Sequence, residues 1–299
     1  MSVLPLVIGL GELLWDLFPD KALPGGAPAN FAFHANQLGC HGMVASRVGR
    51  DSLGNDLTDY LKRQGLDVSL LQVVETHPTG SVTVEFTAPG QPQYTIHTDV
   101  AWDFLEATAE LMATARKASV ICFGTLAQRS PVSRESIQSI VQATDANCLR
   151  VYDVNLRQQF YERDWIERSL QLANIVKLNH EEAAVLGTLL GWGQLSLKEF
   201  ATRLRGCYEL SHVCVTRGAE GCLVHGPEGT VDIPGEPVHA IDTVGAGDAF
   251  TAGLITALLA GLPSERAAKF ANRIGGLVAT KQGGMPSLRA EFALLRENW

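Results

Sequence analysis

The 299-residue chain has no excess of positive charge: 24 Lys and Arg stand against 32 Asp and Glu, a formal net charge of −8 at pH 7. That balance argues against sequence-independent attraction to nucleic acid or an anionic membrane. No apolar run approaches the roughly 18 residues needed to cross a bilayer. Residues Met1–Leu10 are apolar but lack a basic segment and lead directly into Glu12 and Asp16, which fits a buried strand better than an export signal. The six cysteines contain no Cys-x-x-Cys pair, and the eight histidines show no metal-ligand spacing, so a zinc enzyme is not expected. Cysteines scattered through apolar runs act as small hydrophobes and suit a reducing cytoplasm. The chain also lacks a Gly-x-x-x-x-Gly-Lys-Ser/Thr phosphate loop, the protein-kinase signature set and a Gly-x-Ser-x-Gly elbow. His180-Glu181-Glu182 lacks the second histidine of a His-Glu-x-x-His site. There are no internal repeats, low-complexity tracts or long linkers.

With 46% hydrophobic residues the chain can bury a full core. A strand is expected over Val3–Leu10. The Gly9-x-Gly11 segment that follows invites a dinucleotide-binding reading, but Leu14 stands where the third glycine belongs and no helix signal follows. Asp16, leaving an apolar strand, is placed to hold sugar hydroxyls; an ordinary turn Asp is its bland alternative. In Pro24-Gly25-Gly26-Ala27-Pro28-Ala29-Asn30, Pro28 suits a first helical turn, and Phe31, Ala35 and Leu38 share a face until Gly39. Gly25 and Gly26 permit close backbone approach. Asn30 offers a donor and an acceptor to a polyhydroxylated ligand, or binds only its own backbone.

A helix is expected over Leu53–Gln64, closed by Gly65. Alternation over Ser81–Thr87 and Gln93–His97, with a turn over Ala88–Pro92, predicts a β-hairpin. A hairpin alone is marginal and must pack on something, so it is read as part of a small lid. Strands over Val120–Phe123, Arg150–Val154, Ile175–Leu178 and His212–Val215 alternate with helix-period segments, which implies a parallel sheet covered on both faces. Ligands gather beyond the carboxyl ends of such strands. Polar groups follow all four, at Gly124-Thr125, Asp153–Arg157, Asn179–Glu182 and Thr216–Gly218.

The richest stretch is Ala240–Leu254. Gly245 and Gly247 precede a run in which Phe250, Leu254 and Leu258 share a helical face. A helix start offers unpaired N–H groups and a positive dipole end, which favour an anion. Asp248 puts a carboxylate into that anion site, and its natural task is to take a proton from a hydroxyl attacking a bound phosphate. An Asp that merely stabilises a helix start is the alternative. A helix start should also hold its pKa low. A second helix is expected from Pro263 to about Lys281, followed by Gly283-Gly284-Met-Pro-Ser287.

These residues resemble the ribokinase-like (PfkB-type) carbohydrate kinases along essentially the whole chain. Gly25-Gly26-Ala-Pro-Ala-Asn30 looks like that family's N-terminal signature, Asp242-Thr-Val-Gly-Ala-Gly-Asp248 like its C-terminal one, and Asn179-x-x-Glu182 like its magnesium-associated motif. The resemblance implies one α/β domain over residues 1–299: a three-layer sandwich around a central, mostly parallel sheet, with a small β-sheet lid from about 12–23 and 80–100. It implies phosphorylation of a sugar hydroxyl by ATP with Mg2+. Asp248 would be the base, and the N–H groups of Gly245, Ala246 and Gly247 the anion hole. Asp16, Gly26, Asn30 and Arg157 would bind the sugar, with a surface salt bridge as the alternative for Arg157. Asn179, Thr216, Gly218 and Asn272 would lie on the nucleotide side, with Asn179 and Glu182 acting on Mg2+ through water. Asp242, Val244, Val278, Gly283 and Ser287 match a monovalent-cation (K+) site formed mostly by backbone oxygens.

Within the family, Phe123–Arg129 and Asp153-Val-Asn-Leu-Arg157 look most like fructokinases, although Val154 replaces a common proline. Ribokinases carry a lysine where this chain has Ala27. Fructose is therefore the expected substrate, with 2-keto-3-deoxygluconate or ribose behind it. A nucleoside kinase using Phe86, Tyr94 or Trp102 against the base comes next, and a non-catalytic sugar or nucleotide sensor last. Pairing of lid edges predicts a homodimer.

Overall fold

The computed structural model describes residues 4–88, 91–297 and 299. In chain order the strands are β1 (Leu6–Leu10), β2 (Leu14–Leu17), β3 (Ala22–Gly25), β4 (His41–Gly49), β5 (Leu71–Val74), β6 (Gly80–Ala88), β7 (Gln91–Ile96), β8 (Val120–Gly124), β9 (Leu149–Asp153), β10 (Ile175–Asn179), β11 (His212–Thr216), β12 (Cys222–Gly226) and β13 (Gly229–Ile233). The helices are α1 (Ala27–Gln37), α2 (Ser52–Arg63), α3 (Ala109–Ala115), α4 (Pro131–Gln142), α5 (Arg163–Leu172), α6 (His180–Leu189), α7 (Leu197–Cys207), α8 (Ala246–Leu259), α9 (Ser264–Ala279) and α10 (Arg289–Glu297). Two expectations fall partly outside the described residues: the start of the first strand at Val3, and the Pro89-Gly90 tip of the hairpin.

Nine strands form one sheet in the order β13-β12-β11-β10-β9-β8-β1-β4-β5. All pairings are parallel except β11–β12 and β12–β13 at one edge. Side chains alternate across a strand, so neighbours serve different layers. Val7 enters one core with Phe31, Leu254, Ile274 and Phe292, beneath α1, α8, α9 and α10. Ile8 enters the other with Phe123, Tyr152, Ile137, Leu186 and Leu204, from the face covered by α4, α6 and α7. Burial on both faces explains why these strands are short continuous apolar runs. The result is the expected α/β three-layer sandwich.

The remaining strands form a second sheet, β3-β2-β6-β7. Here β2 pairs parallel to β6, and the other pairs are antiparallel. Its own cluster has three buried apolar side chains, Leu14, Val82 and Val84. At about 1.5–3 kcal/mol each, these cannot support four strands alone. The body supplies the rest. Arg129, which grips both carboxylate oxygens of Asp103 at 2.8 and 2.9 Å, also donates to the His97 carbonyl just beyond β7 at 2.5 Å, and Trp102 of the larger core lies against Gly80 of β6. Among the described residues no helix is long and apolar enough to cross a membrane.

Candidate active site

The chain enters α8 through Gly245, which is left-handed at φ 75°. Only glycine fits there: an added methyl group would lie 2.6 Å from the Gly284 carbonyl oxygen. The first bond of the helix ladder runs from the Ala249 N–H to the Gly245 carbonyl at 2.9 Å, and the Ala246 N–H turns back to Thr243 at 3.2 Å. The expected trio of Gly245, Ala246 and Gly247 is therefore corrected at Ala246, whose N–H closes the turn before the helix: among the described residues it is the N–H groups of Gly245, Gly247 and Asp248 that have no backbone acceptor. These donors, aligned with the positive end of α8, make a seat for an anion.

Asp248 stands in the first turn of α8 and is partly accessible. Asn30, in the first turn of α1, is 4% exposed and donates from Nδ2 to Asp248 Oδ2 at 2.8 Å. Its Oδ1 is buried without a partner. The low pKa expected for Asp248 from its position at a helix start does not hold. Burial, and then the charge of Asp153, push it up to about 6, against the opposing pull of Lys177, Asn30 and Arg157. Loss of water outweighs the helix end. The correction makes Asp248 a better base than the sequence implied.

Asp16 lies on β2, opposite Leu23 of β3 and beside Val82 of β6. Burial pushes its carboxyl up to about 6, with Arg157 opposing. Its Oδ2 lies so close to Gly25 that a side chain there would meet it at 2.7 Å. Gly26, at φ 116°, precedes α1, and a methyl group there would strike the Glu12 carbonyl oxygen at 2.5 Å. Arg157 follows β9 in an exposed loop with left-handed residues at Asn155 and Gln158. It has no carboxylate within ion-pair distance among the described residues; its guanidinium donates to the Leu156 carbonyl at 3.2 Å. Its charge nevertheless reaches Glu12, Asp16 and Asp248. The next residue, Gln158, donates to the Tyr94 carbonyl of β7 at 2.7 Å, joining this loop to the small sheet.

Glu12, Lys177 and His34 had no local signal in the sequence; Asp153 was marked as a strand-end polar residue, but not as the partner of Lys177. Glu12 is 3% exposed with Oε2 unpartnered, and burial pushes its carboxyl up to about 7. Asp153 and Lys177 form a buried pair, with Nζ 3.1 Å from each carboxylate oxygen. His34, fully buried in α1, contacts the Gly284 carbonyl through Nε2 at 2.9 Å. Each carries its meaning only through partners far away in the chain.

Asn179 and Glu182 form a reciprocal cap at the start of α6. Asn179 Oδ1 accepts the Glu182 N–H at 2.8 Å, and Glu182 Oε2 accepts the Asn179 N–H at 2.8 Å. Glu182 Oε1 accepts from the Leu156 N–H at 2.9 Å. Both Glu182 oxygens are thus engaged by backbone donors, which leaves no room for direct ligation of Mg2+ and only for contact through the water that this ion keeps. Thr216 ends β11 directly beside Asn179, and Gly218 (φ 58°) turns the chain two residues later. Asn272 on α9 reaches the Pro234 carbonyl just past β13, at 3.4 Å.

The positions matched to a monovalent cation converge in part. Asp242 accepts from the Val244 N–H at 3.0 Å and from the Gly283 N–H at 2.9 Å, tying two loops together. The chain at Asp242 donates to the Ala279 carbonyl, next to Val278 in the last turn of α9. Because the Asp242 side chain is occupied by these N–H groups, backbone oxygens remain as the donors for an ion. The Val278 carbonyl already accepts from Lys281 at 2.9 Å, and Ser287 lies in the exposed part of the loop.

A carboxylate beside an anion seat at the carboxyl edge of a parallel sheet, with a second sheet adjoining, defines a group-transfer site. A match to the pfkB family carbohydrate kinases spans residues 21–291, and this chain belongs to that family. It is 30% identical to the Escherichia coli fructokinase, over 93% of this chain and 94% of that one. An uncharacterized sugar kinase from Pyrococcus horikoshii is also 30% identical, over 98% and 96% of the two chains. Its crystal structure in complex with ATP superposes with a TM-score of 0.81 at 28% identity, covering 94% of each chain. The Vibrio cholerae fructokinase, in its fructose, ADP and calcium-bound form, gives a TM-score of 0.81 at 26% identity, covering 98% and 99%.

Proposed function

We propose that the chain transfers the γ-phosphoryl group of ATP to a hydroxyl of a small sugar, fructose to fructose 6-phosphate in the first instance, in the cytoplasm. The observation that carries this reading is the Asn30–Asp248 hydrogen bond, which brings an amide suited to sugar hydroxyls and a carboxylate suited to act as base to one point. The ATP complex of the Pyrococcus relative and the fructose and ADP in the Vibrio fructokinase support the choice of reactants.

In this mechanism Asp16, Gly26, Asn30 and Arg157 hold the sugar, while Asn179, Thr216, Gly218 and Asn272 border the nucleotide. Asp248 accepts the hydroxyl proton as the oxygen attacks, and the cradle of free N–H groups at Gly245, Gly247 and Asp248 faces the charge on the transferred group, the Ala246 N–H being taken by Thr243. Phosphoryl transfer is chiefly positioning and charge neutralisation, which is what this set of residues supplies. Bound Mg2+ would supply further neutralisation, with Glu182 holding its water shell. Of the five positions matched to K+, the loops at Val244 and Gly283 that Asp242 ties together are the ones whose backbone oxygens would hold such an ion, since the Val278 carbonyl is already engaged and Ser287 is exposed. The small sheet serves as a lid on one working domain, and its edges pair in a homodimer.

A second reading has one specific observation behind it: among the described residues Arg157 has no carboxylate within ion-pair distance, although its charge reaches Asp16 and Asp248. A sugar acid such as 2-keto-3-deoxygluconate would provide that partner. An ATP-consumption assay with fructose, 2-keto-3-deoxygluconate, ribose, adenosine and inosine decides among them. The highest kcat/KM is expected with fructose. Preference for the acid transfers the assignment to the second reading, and turnover with none of the five overturns both.

A further inference from the structure

Behind the anion seat lies a charged group that the reaction as drawn leaves unused. Lys177 points from β10 to the underside of α8. A methyl group at Gly247 would sit 3.1 Å from its Nζ, so the ammonium lies directly against the middle residue of the cradle. Both Asp153 oxygens hold it from β9 at 3.1 Å, and the Thr251 hydroxyl, one turn along α8 from Gly247, donates to Asp153 Oδ2 at 3.3 Å. Lys177 and Asp153 are 8% and 5% exposed. Ion pairs this deeply buried give little stability over an apolar pair of the same size, so stability alone is a poor reason to build one under a reaction centre.

We propose that Lys177 is a positioning residue for phosphoryl transfer: pinned between Asp153 and Gly247, it cancels the Asp153 charge behind the cradle, so that Asp248 alone presents negative charge to the acceptor hydroxyl. The inference rests on the assignment of Asp248 as base. Without the ammonium, Asp153 would face Asp248 uncompensated, and two carboxylates sharing one low-dielectric site resist joint ionisation. The electrostatics agree in direction. Burial and Asp153 raise Asp248, while Lys177 lowers it. Burial alone would lower Lys177, but the charges of Asp153, Glu182 and Asp248 hold it above the ordinary lysine range. The other titratable groups facing this cluster are Glu12 after β1, Cys122 on β8, Tyr152 on β9, Glu182 on α6, Cys214 on β11 and Arg157 after β9. Burial holds both thiols well above their ordinary range, so neither contributes charge at neutral pH.

The inference makes a prediction of sign that a structural ion pair does not. The acid limb of the kcat/KM profile against pH is measured with the preferred sugar. Lys177→Met removes the cancelling cation and should move that limb to higher pH by about one unit or more, a tenfold loss on the limb, with the sugar KM little changed. Asp153→Asn leaves the cation in place and should move the limb to lower pH. Combining the two should return it close to wild type. If Lys177→Met does not fold, Asp153→Asn and the double variant carry the test, since neither leaves a buried carboxylate alone. Limbs that stay together in all folded variants, or that move in the same direction, overturn the proposal. Asp248→Asn is run alongside: if it retains more than about a tenth of wild-type kcat, the base assignment has failed. If it loses activity while the limbs stay together, only the role of Lys177 has failed.

Discussion

Asn30 and Asp248 lie 218 residues apart in the chain and 2.8 Å apart in space, amide nitrogen to carboxylate oxygen. This contact joins the first turns of α1 and α8 and brings the glycine motif near the N-terminus onto the one near the C-terminus.

Replacing Asp248 with Asn should leave sugar and nucleotide binding nearly intact while lowering kcat by about 10²–10⁴-fold, the usual contribution of a positioned base. Titration calorimetry for binding and a coupled ATP assay for turnover separate the two effects.

The pH profile follows from the environment of Asp248. With its carboxyl pushed up to about 6, kcat/KM should fall below about pH 6 as the base is protonated. The Asn30 hydrogen bond lowers that pKa, so Asn30→Ala should move the acid limb to higher pH and raise the sugar KM together. A profile that does not shift in this variant would separate Asn30 from the base.

Gly245→Ala tests the entrance to α8. The left-handed φ of 75° and the Gly284 carbonyl 2.6 Å from the new methyl group together predict a loss of about 1–3 kcal/mol or more in stability. Thermal melts should show this loss, together with weakened nucleotide binding as the cradle deforms.

Glu12 predicts an opposite trend with pH. Its carboxyl sits at about 7 in the folded chain against an ordinary value of 4.5. A raised folded pKa contributes stability that is fully present below about pH 4.5 and is lost as pH rises through 7. Above that window the buried carboxylate is a liability of roughly 3 kcal/mol. Glu12→Gln should therefore raise Tm at pH 8 more than at pH 5, and weaken sugar affinity if the unpartnered Oε2 faces the substrate.

Much of this architecture was legible in the chain itself. Runs such as Val120–Phe123 and Ile175–Leu178 are buried on both faces, so hydrophobicity marks them directly, and each was located to within a residue or so of the observed strand. Gly39 and Gly65 ended their helices as expected because both adopt positive φ. The β12–β13 hairpin, β3 and α10 were not legible: their apolar positions make sense only against neighbours such as α9 and β2. The site divides in the same way. Asp248 and Asn30 stand in local contexts that announce a helix start, whereas Asp16, expected as a carboxylate leaving the first strand, lies within β2 of the small sheet, because β1 ends at Leu10. Lys177 and Glu12 sit beside ordinary apolar runs; Glu182, five residues on, is the one nearby sign of what Lys177 faces, while Asp153 and Asp248 lie far off in the chain. The low pKa expected for Asp248 failed for a related reason, since the helix end is a local feature whereas burial depends on the whole fold.

Gly284 packs against Gly245 on one side, and on the other lies against Asn30 and accepts from His34 through its carbonyl. One short loop thus braces the glycine entrance of α8 and the helix bearing Asn30 at the same time, so a shift of either is felt by the other. Freedom to accommodate a different acceptor is left to the rim, where Arg157 and the small sheet meet. Drift in that outer ring can alter which carbohydrate is admitted while the distance between attacking oxygen and incoming phosphorus stays fixed.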